Sequence, residues 1–166
     1  MAEGIPLLKQ ALSVNEAARA GAMLLPLCLM YLGEAYLLAD RLEDALAFIG
    51  RALPLARECG QRGYEAPSLR LLGEIAARRD PPEQARGHYR DALALAEELG
   101  MRPLIAHCHL GLGKLYQQTR VRKRASEHLT AAATMYRELD MPFWLQKAEV
   151  EIQQVQPRVR SRSTPA

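Results

Sequence analysis

A sequence that matches itself at a fixed offset of 40 residues is constrained to fold into something that repeats. Five identities run through three copies without a gap: Leu32/Leu72/Leu112, Gly33/Gly73/Gly113, Ala45/Ala85/Ala125, Ala52/Ala92/Ala132 and Glu58/Glu98/Glu138. Pairwise matches add Glu34 with Glu74, Asp40 with Asp80, Glu43 with Glu83, Gly60 with Gly100 and Met101 with Met141. Such a period marks a solenoid, in which one unit cannot bury its apolar face alone and leans on the next.

Alanine and leucine dominate while only 5% of residues are aromatic, a balance that favours helix over sheet and predicts an all-α protein. Each unit divides into two segments, the first ending near Asp40, Asp80 or Arg120 and the second at Gly60, Gly100 or Asp140. Asp40 and Asp80 are expected to cap the following helix, with Glu43 and Glu83 three residues on as in a capping box, and Pro81 suits a first turn. Gly60 and Gly100 supply left-handed stops. Helical spacing continues through Ala45, Ile49, Ala52 and Leu53, and again through Ala85, Tyr89, Ala92 and Leu93. The unit is therefore an antiparallel helix pair.

Gly33, Gly73 and Gly113 fall in the middle of apolar helices, where glycine costs about 1 kcal/mol relative to alanine. Recurrence at the repeat period implies a packing reason: small residues there and at Ala45 and Ala52 let the paired helices approach closely. One repeat domain is expected over 1–156, with a partial repeat in 1–20 whose "IPLLKQALSVNEAA" reads as an unpaired second helix. Units follow at about 22–60, 62–100 and 102–140, with a capping helix over 142–155. The basic tail 157–166 carries too few apolar residues to fold.

The net charge of +3 is mild and is concentrated in "RVRKR" at 120–124 and "RVRSR" at 158–162. Cys28, Cys59 and Cys108 are odd in number, lack zinc-site spacing and sit in apolar helical contexts, which predicts reduced, buried thiols in a cytoplasmic protein. No secretory leader and no run of 18 apolar residues is apparent, so neither export nor membrane spanning is expected.

Leu32, Gly33, Tyr36, Ala45, Ile49 and Ala52 are spaced in a way that resembles the tetratricopeptide repeat, although that unit usually has 34 residues. The longer unit is similar to repeats at the C-terminus of large bacterial ATPase regulators, including the maltose-activator type and adenylate or guanylate cyclases carrying an ATPase module. The wording is closest in "LRLLGEIAARRDPPEQARGHYRDALALAEELGMRPLIAHCHLGLGKLY" and "MYRELDMPFWLQKAE", and the resemblance covers roughly residues 6–152. It implies a right-handed superhelical α-solenoid of antiparallel helix pairs with a sensing or docking role. No GxxxxGK[ST] loop, GxGxxG after a strand or cyclase-like segment accompanies the array.

In tetratricopeptide arrays the first helices line a concave groove. Carried over by position, the resemblance points to Met30, Tyr31, Glu34, Leu38, Arg70, Glu74, Arg78, Leu110, Lys114 and Gln118 as groove residues, against solvated surface as the plain alternative. The family's lysine and asparagine that clamp an acidic chain end are replaced here by Met30 and Glu34. A mixed-charge, partly apolar peptide or loop is the implied partner.

"HCH" at 107–109 offers zinc-ligand types, but at about 100° per residue His107 and His109 point to nearly opposite faces. No metal and no cofactor are expected. Arg122, Lys123 and Arg124 stand at a helix start where earlier units carry acid, which is unfavourable toward the dipole and would suit a bound anion. Nucleic-acid binding through this cluster and the tail is therefore one rival reading, and a dimerising scaffold formed through the incomplete N-terminal unit is another. No GxSxG or HExxH motif supports catalysis. A non-catalytic interaction module is the expectation.

Overall fold

The computed structural model describes residues 4–17, 24–79 and 81–155. Asp80 and the tail 157–166 lie outside the described residues. Eight helices follow one another: α1 (Gly4–Ala17), α2 (Leu25–Leu38), α3 (Leu42–Glu58), α4 (Arg62–Arg79), α5 (Pro82–Glu98), α6 (Arg102–Gln118), α7 (Arg122–Glu138) and α8 (Pro142–Val155). No strand occurs among the described residues, and none of these helices is long and apolar enough to cross a membrane.

Packing follows the repeat. The closest partners are α2 with α3, α4 with α5 and α6 with α7, while α3 meets α4, α5 meets α6, and α8 closes on α7. First helices also touch in series, α2 to α4, α4 to α6 and α6 to α8, whereas the backbones of α3, α5 and α7 stay apart. Helices that crowd on one side and spread on the other bend the array, so α2, α4, α6 and α8 form its inner face.

The mid-helix glycines explain how the pairs close. A Cβ on Gly33 would lie 2.3 Å from Ile49 Cδ1, one on Gly73 2.9 Å from the Tyr89 ring, and one on Gly113 2.6 Å from Leu129. Ile49, Tyr89 and Leu129 are themselves 40 apart, so each glycine receives the same knob from its partner helix. Ala45, Ala52, Ala85, Ala92, Ala125 and Ala132 are fully buried along that seam. Tight packing here offsets the propensity loss of about 1 kcal/mol per glycine.

The links between helices correct the expected capping. Asp40 does not cap α3: it adopts a left-handed backbone (φ 58°) that ends α2, and Arg41 precedes α3 without a side-chain cap. Gly60, Gly100, Arg120 and Asp140 take the same conformation. Each of these five links carries one pair of main-chain bonds, from Arg41 N–H to Tyr36 C=O (2.9 Å) and Asp40 N–H to Leu37 C=O (3.1 Å) in the first, with equivalents at residues 61, 101, 121 and 141. This is the Schellman closure, and a residue in that conformation cannot also serve as the next helix's N-cap. Glu43 accordingly pairs with Arg79 (3.3 Å) instead of capping, and Glu83 pairs with Arg86 (3.6 Å). Pro81 stands one position before the first turn, which Pro82 occupies.

The cysteines divide as well. Cys108 is buried, with burial pushing its thiol up to about 12, Cys28 is half-buried, and Cys59, expected inside, is exposed because it ends α3.

Candidate functional site

Residues four apart share a helix face, and the residues expected on the inner face fall in three such rows: Met30, Glu34 and Leu38 on α2, Arg70, Glu74 and Arg78 on α4, and Leu110, Lys114 and Gln118 on α6. Seven of these nine, all but Met30 and Glu34, border one cavity of about 550 Å³ between α4, α6 and α8, with Leu38 at its edge. Met30 is a correction: it is buried in the apolar cluster that holds Leu12 and Leu29, where α1 packs on α2, and offers nothing to the face. Tyr31 is half exposed and lies outside the cavity.

The charges on this face are arranged in a chain. Arg70 donates to Glu34 (3.0 Å) and Glu74 (3.1 Å), and Arg78 donates to Glu74 (3.0 Å) and Asp40 (3.2 Å). Five alternating charges thus stitch α2 to α4, and the side chain of Arg70 is only 15% exposed. Toward α8 the pairing loosens, with Lys114 3.9 Å from Glu151. The Lys147 ammonium sits over the rings of Phe143 (4.4 Å) and Trp144 (4.8 Å).

Several cavity residues carry no signal in the repeat pattern. His107 donates to or accepts from the Tyr136 hydroxyl through Nδ1 (2.7 Å) and meets the edge of Trp144 at 4.5 Å between ring centres. Burial lowers its pKa to about 4, so it is neutral at ordinary pH. Gly111 stands where the other units have Tyr31 and Leu71, and a Cβ there would lie 2.4 Å from the Tyr89 ring. Tyr89 of one unit therefore reaches into the place vacated by Gly111 of the next, and both line the cavity.

The remaining sequence candidates are dispersed. His109 Nδ1 lies 2.8 Å from His128 Nδ1, within hydrogen-bond distance, while His107 faces Tyr136, so the two histidines of "HCH" have different partners. Among the described residues no group of three or more metal-ligating side chains forms. Arg124 turns onto Tyr116, donating to its hydroxyl (3.2 Å), whereas Arg122 joins Arg120 and Gln117 at a separate hollow of about 240 Å³ and Lys123 is simply exposed. The three basic residues do not converge on one site.

No protein-family model matches the chain, and no curated protein is significantly similar to it in sequence. Among solved structures it is similar to BtubC (BKLC) from P. vanneervenii, with 23% identity and a TM-score of 0.77 over 90% of this chain and 63% of that one. It is also similar to the apo form of RapI, with 19% identity and a TM-score of 0.72 over 89% of this chain and 56% of that one. The chain spans less than two thirds of the length of either. At such identities the likeness is one of fold, and the fold shared is a tetratricopeptide-like array of helical repeats.

Proposed function

We propose that this chain is a non-catalytic, cytoplasmic protein-interaction module whose inner face takes a segment of a partner protein, as a sensor or docking part of an ATPase- or cyclase-type signalling system. The repeat domain spans 1–156 in this reading, and the groove residues are those of α2, α4 and α6 named above, less Met30. The observation that carries it is the cavity of about 550 Å³ between first helices, within the range of pockets that hold ligands or anchor side chains. Apolar Leu38 (65% exposed) and Val150 (47%) stand at its rim, where burial against a partner would supply binding energy.

Affinity capture from host extract with the wild-type chain and with Lys114→Glu tests the reading. A partner held by the groove is lost from the variant and survives Arg137→Glu on α7, with moderate dependence on salt. A steep loss between 50 and 200 mM salt, indifferent to Lys114, would instead favour phosphate contacts through the basic residues of 120–124. Light scattering that finds a stable dimer in the absence of any partner would favour the scaffold.

A further inference from the structure

The inner face is electrically uneven, and that unevenness bears on what fits it. On the α2–α4 side each arginine is already shared between two carboxylates. An incoming carboxylate finds no uncommitted donor there, and Glu34 and Asp40 at the ends of the chain repel it. On the α6–α8 side the two cations bordering the cavity are lysines held less firmly. Lys114 is at the limit of ion pairing with Glu151, and Lys147 rests on aromatic rings with no carboxylate partner among the described residues. A lysine over a ring at an exposed site is weakly held, so it swings to a carboxylate at little cost.

Between the lysines and the arginine chain the cavity is floored by uncharged groups: the Tyr89 ring packed on Gly111, Leu110, the Trp144 ring and His107. A hollow of this kind rejects an isolated charge and accepts an apolar side chain.

Resting on the groove reading, we infer that the cavity is an anchor subsite for a leucine-sized apolar side chain followed directly by an aspartate or glutamate in the partner's chain. The apolar group seats over Tyr89 and Gly111 while the carboxylate is drawn toward Lys147 and Lys114.

Trp144 is the only tryptophan in the chain and borders the cavity, so its emission reports occupancy. The probes are acetylated, amidated octapeptides of otherwise alanine and serine, carrying Leu-Glu, Leu-Gln, Leu-Lys or Ala-Glu at the centre, titrated by fluorescence and by calorimetry. Leu-Glu should saturate. Leu-Gln should bind about tenfold more weakly for loss of a charge-assisted contact, and Leu-Lys and Ala-Glu should not saturate. Lys147→Glu, an exposed substitution checked for helicity by circular dichroism, should reverse the order of Leu-Glu and Leu-Lys.

Equal affinity for Leu-Glu and Leu-Lys, indifference to Lys147→Glu, or no saturation with any peptide at millimolar concentration overturns the inference. Failure here with a captured partner still lost from Lys114→Glu would leave the groove reading standing. Peptide binding with a partner indifferent to Lys114 would remove the groove reading and keep the subsite.

Discussion

The two halves of the inner face share one backbone plan and differ in what fills it. Between α2 and α4 the chain Glu34–Arg70–Glu74–Arg78–Asp40 closes the surface, whereas between α4, α6 and α8 a cavity stays open beside loosely held lysines. Three substitutions at repeat-equivalent positions separate them. Leu71 becomes Gly111, Arg70 becomes Leu110, and Glu74 becomes Lys114. A solenoid unit thus sets where a face lies, and a few exchanged side chains decide whether it is sealed.

Filling the open half is the most disruptive way to erase that difference. Gly111→Leu forces a side chain into the Tyr89 ring, and overpacking of this kind should cost about 3 kcal/mol in chemical denaturation. It should also abolish the Trp144 response to peptide. The same exchange run in reverse, Leu71→Gly, would open a void in the sealed half and cost stability without creating an acid-binding site.

Acid should weaken the open half through its histidine. The imidazole of His107 has a pKa of about 4 when folded and near 6.5 when unfolded, so the unfolded chain binds more protons between these values. Stability is complete above about pH 6.5 and falls as pH drops, with a loss of about 3 kcal/mol by pH 4. His109 and His128, also lowered by burial, act in the same direction. Urea titrations at pH 7 and pH 4.5 should show this slope, and His107→Phe should make it shallower.

Charge reversal tests the sealed half. Arg70→Glu gathers three carboxylates where two are partly exposed, and should cost about 2 kcal/mol. Arg70→Met should be nearly neutral, because Met30 and Leu110 occupy the equivalent place in the neighbouring units and pack there. If the methionine variant were as damaging as the glutamate, the ion-pair chain would be holding the array together and not merely covering it.

The smallest effect sharpens the comparison at the links. Arg120 holds a left-handed backbone (φ 61°) in which its Cβ crowds the following carbonyl, so Arg120→Gly should raise the melting midpoint, by about 1 kcal/mol in stability. Asp40→Gly relieves the same strain but removes a partner of Arg78, and should gain less.

Fold class was legible because the offset of 40 acts at the one place where identity is enforced by contact: Gly33, Gly73 and Gly113 each receive residue 49, 89 or 129. The rows of α2, α4 and α6 were expected from the resemblance to tetratricopeptide arrays, and a spacing of four places each row on one helix face. Asp40 misled because aspartate suits an N-cap and tolerates a left-handed backbone alike, and local sequence does not weigh one against the other. Met30 misled because its burial depends on α1, which precedes the first full unit. His107, Trp144 and Lys147 became site residues only through the closure of α8 on α6, and the Tyr89–Gly111 fit joins residues of different units. Neither leaves a periodic trace.

The joints after α2, α3, α5, α6 and α7 are fastened by main-chain groups and a single dihedral preference, not by a particular side-chain cap. Joints of that kind are interchangeable. A further hairpin could be spliced in after Gly60 without redesigning its borders, lengthening the inner face by a whole step while α4, α6 and α8 kept the cavity between them.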